Sequence, residues 1–116
     1  MVFTLSAPDE NYFHRWVSTG GRWEIGFVQM MFGVRVRAGL CGHGWVALDY
    51  CAGDDHQFQL ELLRTVMAAL ISFPEDVTER QIQDVFPRYD VKPINRDPTC
   101  WPELQRMANE ALRQSA

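Results

Sequence analysis

The chain has 116 residues, of which 47% are hydrophobic and 22% charged, and its formal net charge is -4. That length suits a single domain, residues 1–116, and the composition is that of a globular rather than a disordered chain. The acidic balance argues against non-specific binding to nucleic acid or an anionic membrane. Three cysteines, an odd number, exclude a complete disulfide framework and point to a reducing cytoplasm.

The start, Met1 to Leu5, lacks a basic segment and a long apolar run, so no secretory signal is expected. Val2 to Leu5 is β-prone and reads as a short edge strand. Ser6 to Asp9 then reads as a helix start, with Ser6 as cap, Pro8 in the first turn and Asp9 at the positive end. Tyr12 with Trp16, and Phe13 with Val17, are i,i+4 pairs on one face of that helix, and Gly20 and Gly21 end it.

Residues 22 to 37 alternate as strand. Val28, Met30, Phe32, Val34 and Val36 share one parity, but Trp23, Ile25 and Phe27 take the other. The slip calls for a bulge near Gly26 or a turn near Gly33 dividing two strands. A turn at Cys41 to Gly44 leads into a returning strand, Trp45 to Cys51. Pairing Val36 with Leu48, Val34 with Tyr50 and Arg35 with Asp49 matches apolar to apolar and cation to anion.

Asp54 and Asp55 cap a long helix, roughly 55 to 72. Its apolar residues, among them Leu63 and Met67, cover well over half the circumference, far more than the ~100° stripe of a surface helix. Such a helix needs cover from the sheet and from further helices or a second subunit. The stretch Val66 to Phe73 is too short to span a bilayer, so no membrane is expected as a partner. Thr78 to Gln81 is a capping box opening a short helix with Ile82, Val85 and Phe86 inward. Residues 88 to 99 read as ordered coil or an extended arm, and a last helix runs from about 102 to 114. Together these elements predict an α+β fold: a small antiparallel sheet of two to four strands, with a hairpin at about 34–51, packed against three to four helices.

Chemistry is sparse. Cys41, His43 and Cys51 are the candidate thiol or zinc ligands, but they lack paired CxxC or HxxxH spacing, and the hairpin separates Cys51 from Cys41 and His43 by about 20 Å at roughly 3.3 Å per residue. Cys41 with His43 as base would make a thiol nucleophile, but no helix N-terminus activates it. Arg35 and Arg37 line one sheet face and are candidates for stacking or phosphate contacts, although Asp49 offsets their charge and the aromatic pattern of RNA-binding sheets is missing. No phosphate-binding glycine loop, metalloprotease motif or nucleophile elbow is present. No metal and no cofactor are therefore expected.

By elimination, the sequence points away from catalysis. It suggests a small protein-interaction or assembly module that binds a protein partner or another copy of itself, with a homodimer as the simplest form. Tyr89, Ile94 and Trp101 are anchor-type residues for such an interface, with Leu63 and Met67 on the over-apolar helix. The alternatives are a thiol- or zinc-dependent protein using Cys41 and His43, or a nucleic-acid-binding regulator using Arg35 and Arg37.

Overall fold

The computed structural model describes residues 1–31, 33–42, 46–86, 89–90 and 106. The elements in chain order are β1 (Phe3–Ser6), β2 (His14–Ser18), β3 (Trp23–Met30), β4 (Gly33–Leu40), β5 (Val46–Gly53), α1 (His56–Ile71), α2 (Glu79–Val85) and β6 (Tyr89–Asp90). The strands form one sheet in sequential order: β1 to β5 are antiparallel neighbours, and the two-residue β6 lies parallel to β5.

The protein is therefore mostly sheet, which corrects the expectation of a small sheet against three to four helices. Five strands are antiparallel, and among the described residues there are two helices. The last helix expected from about 102 lies, but for Arg106, outside the described residues, as do His43, Trp45, Ile94 and Trp101.

The helix expected at 6–20 does not form. Asp9 Oδ1 accepts from the N–H groups of Asn11 and Tyr12, at 2.9 and 2.8 Å, and so closes a local turn. The chain then enters β2, paired on one side with β1 and on the other with β3. The same residues that fit a 3.6-residue period also fit a period of two. His14, Trp16 and Ser18 alternate with Arg15 and Val17, and hydrogen bonds to two neighbouring strands outweigh one isolated amphipathic turn. Gly20 and Gly21 close the β2–β3 hairpin, with Gly21 at φ +76°.

Residues 22–37 divide into β3 and β4. Met30 pairs with Gly33, so odd positions of β3 face even positions of β4, as in Phe27 with Val36 and Ile25 with Ala38. This explains the parity slip without a bulge at Gly26. The β4–β5 register differs by two residues from the one expected. Val36 pairs with Tyr50, Ala38 with Leu48, Arg37 with Asp49 and Arg35 with Cys51, with irregularities between Val34 and Arg35 and between Ala38 and Gly39. A two-residue shift keeps every side chain on its expected face, which is why hydrophobic pattern alone could not choose between the registers.

The core lies between the helices and β3–β5. Trp23, Ile25, Phe27, Val36, Leu48 and Tyr50 meet Leu62, Leu63, Val66 and Leu70 of α1 and Ile82 of α2. Asp55 caps α1, accepting from the N–H groups of Gln57 and Phe58. Thr78 and Gln81 form the expected capping box on α2. Ile82 and Phe86 are buried, whereas Val85 is exposed. Glu75, between the helices, fastens this layer to the β2–β3 turn. Its carboxylate accepts from Ser18 Oγ at 2.6 Å and Gly20 N at 3.1 Å, and its carbonyl accepts from Trp23 Nε1 at 2.9 Å.

Candidate functional site

The thiols lie apart. Cys41 is half-buried just after β4, while Cys51 is exposed on β5 opposite Arg35. Burial pushes the Cys41 thiol up, the Glu24 carboxylate pushes the same way, and Arg15 opposes them. A thiol so placed is held protonated, the reverse of an activated nucleophile. Among the described residues no three His, Cys, Asp or Glu side chains gather as metal donors.

Arg37 belongs to a polar row on the sheet face opposite the helices, and Arg35 stands on the same face two residues back along β4. Ser6, Arg15, Gly26, Arg37 and Asp49 are successive partners straight across β1 to β5, and the backbone of Tyr89 in β6 pairs with Asp49. Asp49 is 3% exposed. Its Oδ1 accepts from Arg35 Nε at 2.5 Å and its Oδ2 from Arg37 Nη2 at 3.2 Å. Arg15, in the same row, donates from Nε to buried Glu24 of the next row at 2.8 Å and lies 3.6 Å from Asp9. This bond raises the Arg15 guanidinium above its ordinary range.

The gap in the row at Gly26 is filled by Tyr12. A Cβ at position 26 would sit 3.0 Å from Tyr12 Cδ1 and 2.0 Å from the His14 carbonyl oxygen. Tyr12 is buried, and its hydroxyl is pushed well above the usual tyrosine range, first by burial and then by Glu24. Each arginine of this face thus has a carboxylate partner. The face braces the sheet and presents little free positive charge to a phosphate backbone.

The opposite face has an uncovered margin. The helices lie mainly over β3–β5; Met1 N, just before β1, donates to the carbonyls of Ile71 and Phe73, and Phe3 and Trp16 pack partly against the core, while Leu5 lies beyond this cover. There Phe27 is ringed by Phe13, His14 and Trp16, with ring centroids at 5.9, 6.2 and 6.4 Å. Leu5 pairs with Trp16 and is 71% exposed, and Phe13 is 40% exposed. The outer side of β1 is unpaired among the described residues. Val2 O accepts from Thr19 N at 2.8 Å, so alternation along an antiparallel strand directs the N–H and C=O groups of Phe3 and Leu5 outward.

No protein-family model, no curated protein and no solved structure matches the chain. Its own geometry therefore carries the functional reading.

Of the interface candidates read from the sequence, Ile94 and Trp101 lie outside the described residues. Leu63 is 3% exposed within its own chain, and Met67 is half-buried against the core. Tyr89 is placed by its backbone beside Asp49. On the wide apolar arc of α1, Leu62, Leu63, Val66, Ala69 and Leu70 are buried in the core with β3–β5, leaving Leu60 and Ile71 exposed. Phe13 and Trp16 on the margin, and Tyr12 and Arg15 in the brace, were missed because 6–20 reads as a helix; Leu5 lies in the expected edge strand and Glu24 in the expected strand from 22. The signal that finds them is the alternation of aromatic and polar residues from His14 to Ser18, followed by a Gly-Gly turn. No described helix is long and apolar enough to cross a membrane.

Proposed function

We propose that this chain is a non-catalytic protein-interaction module that docks its partner on the β1–β2 margin. The observation that carries the reading is Leu5. Among the described residues it is the most exposed apolar side chain of any strand, and it pairs with Trp16, whose ring meets Phe27, on a strand whose outer edge is unpaired. An exposed edge with adjoining apolar side chains is the requirement for strand addition: the backbone supplies affinity and the side chains supply specificity. The raised Cys41 thiol speaks against a thiol enzyme, and the pairing of Arg35 and Arg37 with Asp49 speaks against a nucleic-acid surface. Free thiols at Cys41 and Cys51 fit a reducing compartment such as the cytoplasm.

The test is photo-cross-linking in cells, with a benzophenone amino acid at position 5 or, as control, at exposed Arg64 on α1. A discrete adduct from position 5 and none from position 64 is the expected result. Equal or absent adducts would sink the reading.

A further inference from the structure

We propose that the partner at β1 is a second copy of this chain, joined edge to edge by antiparallel pairing about Thr4; this rests on the docking reading above. The outward-facing groups belong to Phe3 and Leu5, which flank Thr4 symmetrically. A two-fold axis through Thr4 therefore sets Phe3 against the partner's Leu5 and Leu5 against the partner's Phe3. Each outward N–H then meets an outward C=O, and none of the four donors and acceptors on either edge is left over. Any β-strand edge offers this backbone alternation; what favours a second copy is that the same axis sets apolar Leu5 against apolar Phe3 twice and Thr4 against Thr4.

The side chains agree with this register. Cross-strand partners share a face, so Leu5 would lie beside the partner's Phe3, on the face where Leu5 already neighbours Trp16. That pairing would cover the side chain that is now 71% exposed and continue the aromatic margin from one copy into the next. Thr4 would face the partner's Thr4 on the other side of the sheet. The stretch Phe3–Ser6 contains no charge, no proline and no bulge, which are the usual devices that keep edges apart. No like charges oppose each other across the axis. With only four residues in the strand, the interface is small and the dimer is a weak, concentration-dependent one.

The experiment uses the full chain in two formats. In a background with Cys41, Cys51 and Cys100 all replaced by Ser, Thr4→Cys places thiols directly opposite across the axis, and Arg64→Cys serves as the control. Thr4→Cys should form a disulfide-linked dimer about tenfold or more faster than the control, because paired thiols react as an intramolecular couple. Light scattering of the unmodified chain should show its mass climbing toward twice that of one chain as concentration rises, and Leu5→Lys, at an exposed position, should abolish the climb. Equal cross-linking rates, a mass that stays at one chain throughout, or a dimer indifferent to Leu5→Lys would each overturn self-pairing. If self-pairing fails while position 5 still cross-links to a different protein, the docking reading stands and only the identity of the partner is lost.

Discussion

Arg35 reaches Asp49 along a diagonal of the β4–β5 pair: its Cα partner is Cys51, yet its Nε donates to Asp49 Oδ1. Arg37, the residue directly opposite Asp49, takes the other carboxylate oxygen. One buried acid thus holds two arginines across a register irregularity, and pairs neighbouring rows of the sheet face. Asp49→Ala leaves both guanidinium groups without their shared anion. The expected cost is about 2–3 kcal/mol, below the range for fully buried pairs because both arginines keep some contact with water. Urea unfolding near neutral pH measures it. Arg35→Met should cost distinctly less, since Arg37 still holds Asp49.

Gly26 lies in the same row because nothing larger fits. A Cβ there would stand 2.0 Å from the backbone oxygen of His14, which is fixed by the β2–β3 ladder and cannot swing aside as a side chain can. Gly26→Ala is expected to destabilise by about 1–3 kcal/mol or more through forced backbone movement. The same substitution at Gly42, where a Cβ meets nothing within 4 Å but φ is +73°, carries only the strain of that conformation. Thermal denaturation of the two variants separates crowding from backbone strain.

Glu75 links the fold to pH. Burial works against its charge, but the Ser18 hydroxyl and the Gly20 N–H more than offset this, and its carboxyl is held below its ordinary 4.5. A depressed carboxyl pKa contributes stability above the unfolded value that is lost as pH falls through the folded value. Glu75→Gln should therefore lower stability at pH 7 by about 1 kcal/mol, a modest amount because the carboxylate is part-exposed and screened. The gap between the two proteins should narrow as pH falls below about 4.5 and both carry a neutral side chain. Denaturant midpoints across pH 3–7 check the sign; a gap that widens toward acid would refute it.

The C-terminal side of the fold was the more legible. Asp55 and Thr78 are helix caps whose partners lie within three residues, so short sequence windows contain the whole interaction. The hairpin face of Arg35, Arg37 and Asp49 was legible for the same reason of alternation, although its register was not. The N-terminal side was opaque because its decisive contacts are distant. Ser18 is bound to Glu75, Trp16 packs on Phe27, and Tyr12 fills the space above Gly26. None of these is visible to a local pattern, and Tyr12, Phe13, Trp16 and Val17 satisfy a helical period as well as a strand one. The arginine ion pair and the edge strand that holds Leu5 were thus foreseeable from local pattern, whereas the aromatic neighbours of that edge emerge only when Trp16 is seen to lie in β2 beside Leu5.

The central claim, that the outer edge of β1 is a pairing edge, is tested most directly by amide hydrogen exchange resolved at Phe3, Thr4 and Leu5. The N–H of Thr4 points toward β2, and those of Phe3 and Leu5 point away. In dilute protein Phe3 and Leu5 should exchange fast and Thr4 slowly. In concentrated protein Phe3 and Leu5 should slow by about tenfold, while Thr4 stays unchanged. Exchange at Phe3 and Leu5 that remains fast and identical at every concentration would contradict the account.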